Sequence, residues 1–162
     1  AKMRKSYGLR PGIIELVDRV NEEQKLLPVK KLKTLLPTLK GKKIAIWGLA
    51  FKPGTDDMRD APSLTVVREL QKAGARIQAF DPVAEARART LLKQVSFSND
   101  PYRTLMGCDA LLILTEWDEF RGLDKKRIKA LLKEPNVVDG RNVYDPEEVQ
   151  RLGFKYLGIG RG

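Results

Sequence analysis

Residues 48–62 read GLAFKPGTDDMRDAP. A compact apolar run, KKIAIW, precedes them, and SLTVVRELQKAG, with the apolar spacing of a helix, follows. A nucleotide-binding α/β fold places its phosphate loop in this strand–loop–helix setting. The glycines say otherwise. GLAFKPG holds no G-x-G-x-x-G for close approach of a pyrophosphate, and no P-loop Gly-Lys-Ser/Thr follows it.

The same alternation continues down the chain. ARIQAF, VSFS, CDALLILT, NVVDG and FKYLGIG read as further strands. AEARARTLLKQ, LDKKRIKALLK and DPEEVQRLG read as helices, and DPYRTLMG as a brief helical turn. Gly74 suits the C-cap of the helix over 62–73. Asp81-Pro82 suits a cap and a first helical position. In TEWDEF, Thr115 and Asp118 stand at capping-box-like spacing. The pattern predicts an α/β fold: a Rossmann-like, doubly wound, mostly parallel sheet of about six strands over 42–162, with right-handed crossovers.

A helical segment precedes this domain over 1–41. In PGIIELVDRVNEEQKLL, Ile13, Ile14, Val17, Val20 and Leu27 share one face, interrupted by Gln24. Pro28 is expected to end or kink the helix, and VKKLKTLL continues the pattern. Such a stripe cannot be buried against itself. It needs the following domain, another domain or a second copy of the chain.

Composition narrows the function classes. The chain has 162 residues and a net charge of +10. Residues 1–43 hold 12 Lys/Arg against 4 Asp/Glu, and the remainder 19 against 17, so the excess is +8 and +2 respectively. A nucleic-acid contact would therefore fall on the leading segment. That segment has one aromatic residue, Tyr7, and no recognition motif, so no nucleic-acid partner is expected. No apolar run approaches the roughly 20 residues that span a bilayer, and no signal-peptide core follows AKMRKSYGLR; no membrane partner is expected. The single cysteine fits a reducing cytoplasm. The absence of histidine removes the commonest general base and metal ligand, and no metal site is expected.

Candidate site residues lie where strands end. Lys52, Asp56, Asp57 and Arg59 follow the first strand, Asp81 the second, Glu116 the fourth, and Asp139 and Arg141 the fifth. Lys52 and Arg141 either meet phosphate oxygens or brace the loops by pairing with Asp56, Asp57, Asp60 or Asp139. Phe51 either stacks on a base or packs beneath the loop, which is the default. The cluster Asp56, Asp57, Arg59, Asp60 reads as a salt-bridged turn, and Asp81 as a cap rather than a ribose ligand. Trp117 lines a site or packs a helix start. Cys108, at the amino end of its strand, reads as a buried and unreactive thiol. No catalytic set is present.

IAIWGLAFKPGTDDMRDAPSL, LLILTEWDEF and VVDGRNVYDPEEV, in this order and spacing, resemble the C-terminal domain of UDP-glucose 6-dehydrogenases. NEEQKLLPVKKL resembles the end of the central helical dimerisation region before that domain. GDP-mannose and UDP-N-acetylmannosamine dehydrogenases have similar first loops; TEWDEF favours the UDP-glucose branch. The resemblance implies oxidation of UDP-glucose to UDP-glucuronate with reduction of two NAD, through a cysteine nucleophile. It implies that Phe51, Lys52 and Arg141 contact the nucleotide sugar and that Arg59 reaches NAD held by an N-terminal part of the same enzyme. A homo-oligomer is the expected state. The family's glycine fingerprint, its G-G-S-C-like nucleophile and its catalytic lysine and asparagine region are absent, and Cys108 does not inherit the nucleophile's role. The chain is thus expected to be a piece of such an enzyme, inactive alone. The rival reading is a stand-alone nucleotide-sugar-binding or regulatory module.

Overall fold

The computed structural model describes residues 12–161. Two helices, α1 (Ile13–Lys25) and α2 (Leu27–Leu35), lead into β1 (Lys43–Trp47). There follow α3 (Pro62–Lys72), β2 (Arg76–Phe80), α4 (Glu85–Leu91), β3 (Val95–Phe97), α5 (Pro101–Leu105) and β4 (Ala110–Ile113). The chain continues through α6 (Asp118–Arg121), α7 (Lys125–Leu131), β5 (Asn136–Asp139), α8 (Pro146–Arg151) and β6 (Lys155–Gly158). The strands form one six-stranded sheet in the order β3-β2-β1-β4-β5-β6, with every neighbouring pair parallel. The Rossmann-like expectation is met. Strand order reverses between β1 and β4, which opens a crevice above their carboxyl ends.

Strand alternation sends apolar residues to both faces, so each face has its own core. Ile44 and Ile46 point to the side covered by Val66 and Leu70 of α3 and by Val29 and Leu32 of α2. Ala45 and Trp47 point to the other side, with Leu111, Ile113, Phe120, Ile128 and Tyr156. There the Trp47 and Phe120 rings stack with centroids 5.1 Å apart, and Trp47 donates its indole N–H to the Pro101 carbonyl at 3.0 Å. Burial on both faces accounts for the near-continuous apolar strands read in the sequence. At the end of α3, Ala75 N–H reaches back to the Leu70 carbonyl and Gly74 takes φ +80°, as the predicted C-cap requires.

The leading helix is interrupted at Leu26, in line with the expected end or kink at Pro28, which falls in the first turn of α2. A first-turn residue needs no intrahelical N–H, so proline can begin the second helix there. One local expectation is corrected. The capping box in TEWDEF does not form: α6 has no side-chain cap, and the Thr115 hydroxyl donates to the Ala50 carbonyl at 2.6 Å.

Helices α1 and α2 differ in support. Val29, Leu32, Leu36 and Leu39 join the core, whereas α1 has no buried residue, and Ile13 and Ile14 are 80% and 73% exposed. Among the described residues, no helix is long and apolar enough to cross a membrane.

Candidate functional site at the switch between β1 and β4

The loop 48–62 leaves β1 through Gly48, whose φ is +84° and whose position leaves no room for a side chain. A Cβ there would lie 2.5 Å from the Thr115 Cβ. The backbone beyond it is held by side chains from four separate elements. Asp81, at the end of β2 and 3% exposed, accepts N–H bonds from Leu49 (2.6 Å) and Ala50 (3.1 Å) through Oδ2. Its Oδ1 accepts from Val83 (3.0 Å) and Ala84 (2.7 Å). Ser63 of α3 donates to the Leu49 carbonyl, and Thr115 after β4 to that of Ala50. Arg141 after β5 donates Nη2–H to the Phe51 carbonyl at 3.1 Å.

The reading of Asp81 as a cap is therefore right but incomplete, since one carboxylate caps the turn before α4 and also fixes the first loop. With Trp117 Nε1 also 3.3 Å from Oδ2, no lone pair is left to meet a ribose hydroxyl. The absent fingerprint glycines and the saturated Asp81 agree: the residues at this loop do not fit a dinucleotide.

The outer part of the loop is a salt-bridged turn, as expected. Phe51 N–H closes it onto the Asp57 carbonyl at 2.9 Å, while Met58 plugs into the core. Arg59 grips Asp57 with Nε and Nη2 at 3.0 and 2.8 Å. That hydrogen bond holds the Asp57 carboxyl down at about 2 and raises the Arg59 guanidinium above its ordinary range. Arg59 stays 85% exposed by its side chain.

Phe51 does not pack beneath the loop. Its ring is 48% exposed, because the pinned backbone turns it outward. Nor does Arg141 pair with Asp56, Asp57, Asp60 or Asp139 through its guanidinium. Its Nε–H donates to the Leu114 carbonyl at 3.1 Å, and its charge partner is Glu116, with Oε2 3.0 Å from Nε. Asp139, fully buried, instead accepts the backbone N–H groups of Arg141 and Tyr144 and the hydroxyl of Tyr156, each at 3.0 Å. Burial of Tyr156, and then the neighbouring Asp139, raise its hydroxyl above the usual tyrosine range. Asn142, at φ +54°, bonds both backbone groups of Ile159 and ties the DGRN turn to the end of β6.

A cavity of about 620 Å³ opens over this edge. Phe51, Asp60, Leu114, Gly140 and Arg141 line its floor, and Asn21 of α1 is part of its wall. Such a volume suits a small-molecule ligand. Of the residues singled out in sequence, Phe51, Asp60 and Arg141 meet there. Lys52 and Arg59 are exposed and outside the lining, and Lys52 has no ion pair among the described residues. Cys108 lies at the opposite edge, fully buried, its Sγ–H donating to the Thr104 carbonyl at 3.2 Å. Burial pushes its thiol up to about 11, which fits the inert reading. Sequence spacing missed Thr115 and Ser63 as partners of the first loop and Glu116 as the charge partner of Arg141.

Residues 45–146 match the model of the UDP-glucose/GDP-mannose dehydrogenase family, UDP binding domain. The chain belongs to that family. It is 42% identical over 161 residues to the UDP-glucose 6-dehydrogenase TuaD of Bacillus subtilis, covering 99% of this chain and 35% of that protein. Among solved structures, it is similar to a UDP-glucose dehydrogenase from Pyrobaculum islandicum, with TM-score 0.81 and 34% identity over 99% of this chain and 35% of that one. It is similar also to a UDP-D-ManNAc dehydrogenase from Pyrococcus horikoshii, with TM-score 0.79 and 28% identity over 96% of this chain and 35% of that one. The chain thus spans about a third of the length of the curated relatives it matches. The family is one of oxidoreductases, and this chain corresponds to its substrate-binding portion.

Proposed function

We propose that this chain holds the nucleotide end of UDP-glucose for an NAD-dependent 6-dehydrogenase that forms UDP-glucuronate. One observation carries the reading: Phe51 and Arg141, 90 positions apart, are hydrogen-bonded to each other and share one cavity at the strand-order switch. Phe51 offers an aromatic face for the base or sugar. Arg141 has N–H groups beyond those given to Leu114 and Phe51, and Lys52 supplies a mobile point charge at the rim. Together they take the diphosphate. Arg59, braced by Asp57 and exposed, faces a cofactor held by another part of the enzyme. NAD would supply hydride acceptance there, and no step of that chemistry rests on residues of this chain.

The similarity to UDP-glucose dehydrogenases over about a third of their length supports this division of labour. The helical segment 1–41 is the end of a linker and dimerisation region, and 42–162 is the nucleotide-sugar domain. The assembled enzyme is a homo-oligomer working in the cytoplasm.

Calorimetric titration of the chain with UDP, UDP-glucose, GDP-mannose and NAD tests the reading. UDP and UDP-glucose are expected to bind at least tenfold more tightly than NAD and GDP-mannose. Equal affinity for NAD and UDP would contradict it. UDP-glucose and NAD added together to the chain should give no NADH.

A further inference from the structure

We propose that Glu116 is a counter-ion that limits the affinity of Arg141 for phosphate, rather than a brace that orients it. The proposal rests on the reading of Arg141 as a phosphate ligand and adds a residue that tunes it.

The geometry separates the two roles. A guanidinium has five N–H groups. Arg141 gives Nε–H to the Leu114 carbonyl and one Nη2–H to the Phe51 carbonyl, both at 3.1 Å. These two backbone acceptors belong to different loops, and hydrogen bonds to both hold the group. Glu116 Oε2 stands 3.0 Å from Nε, yet that N–H is already directed at Leu114. The oxygen is enclosed and accepts no hydrogen bond among the described residues. The Glu116 side chain is otherwise 37% exposed, so this oxygen is held beside the guanidinium by charge and not by a hydrogen bond.

Three N–H groups of Arg141 are left for a ligand. A phosphate that takes them displaces no hydrogen bond of Glu116, because there is none to displace. It does have to share the guanidinium charge with a carboxylate a few ångströms away. Glu116 therefore weakens anion binding without disturbing the aim of the arginine. Such a device suits a site that must release a nucleotide after each turnover, since binding substrate and transition state equally tightly does not raise kcat. Sequence position hides it: Glu116 directly follows Thr115, whose hydroxyl is committed to the first loop.

Calorimetry on Glu116→Gln and Glu116→Ala, with UDP, UMP and uridine as probes, tests this. Both variants should bind UDP about five- to tenfold more tightly, UMP by a smaller factor, and uridine unchanged, as a Coulombic effect scales with ligand charge. The gain should shrink as salt is raised. In an Arg141→Ala background the Glu116 effect should vanish. UDP affinity that is unchanged or weakened in both Glu116 variants, or a gain shared equally by uridine, would overturn the proposal. If Arg141→Ala by itself leaves UDP affinity intact, the phosphate reading of Arg141 fails, and that result is distinct from a failure of Glu116.

Discussion

The loop 48–62 and helix α1 reverse the usual relation between regularity and anchorage. The loop lacks regular structure, yet the backbone of Leu49, Ala50 and Phe51 is held by Asp81, Ser63, Thr115 and Arg141, from four separate elements. Helix α1 runs for 13 residues on intrahelical hydrogen bonds and has no buried residue. Regular hydrogen bonding makes a helix locally complete but does not attach it to anything. A loop over a strand-order switch must find its partners elsewhere, and finding them makes it rigid. Preorganisation of the candidate site therefore lies in the loop, while Ile13, Ile14, Val17 and Val20 form an exposed apolar stripe on α1.

Substitutions can break this contrast. The largest effect is expected from Asp81→Ala, which strands the N–H groups of Leu49, Ala50, Val83 and Ala84 together. Urea unfolding should show a loss of about 4 kcal/mol. A loss below about 1 kcal/mol would mean that the loop is held by something other than its side-chain acceptors. Next comes Gly48→Ala, expected to cost about 3 kcal/mol because the added Cβ meets Thr115 at a positive φ. Gly54→Ala, also at positive φ but with open space around it, should cost only about 1 kcal/mol.

A smaller effect is expected at the outer turn. Asp57, depressed to about 2 by its bond to Arg59, retains that contact above the ordinary carboxylate range and loses it as pH falls from about 4 toward 2. In Arg59→Ala, NMR titration should find the Asp57 midpoint raised toward the ordinary carboxylate range but still below it, because the backbone N–H of residue 59 remains as a donor. At the bottom of the scale, Ile13→Ser and Val17→Ser should leave the chain's stability within about 0.5 kcal/mol, since neither side chain is buried. A loss of 2 kcal/mol from either would show that α1 is anchored after all.

Much of this molecule is legible in its sequence because the relevant signals are local. KKIAIW and ARIQAF announce β1 and β2 by apolar runs that end at loop residues, and Gly74 marks a helix end by chemistry confined to one turn. The reading that GLAFKPG lacks the glycine fingerprint of a dinucleotide loop also needs only neighbouring residues. What stays hidden is pairing across distance. Thr115 reads as a cap from its spacing to Asp118, but its partner is 65 positions away in the first loop. Asp81 reads as a cap and is one, while its bonds to Leu49 and Ala50 depend on β2 lying beside β1. Arg141 has nearby aspartates in its own loop and the next, yet it faces Glu116 because β5 pairs with β4. Strand order decides each of these contacts, and no short window of residues records it.

The central claim is that the switch between β1 and β4 holds the nucleotide. Amide chemical-shift mapping of the chain during titration with UDP tests it most directly. The largest shifts are predicted at Phe51, Lys52, Gly140 and Arg141, with smaller ones along the facing side of α1. Shifts centred instead on the open depression beside Arg89 and Arg103, at the other edge of the sheet, would contradict it.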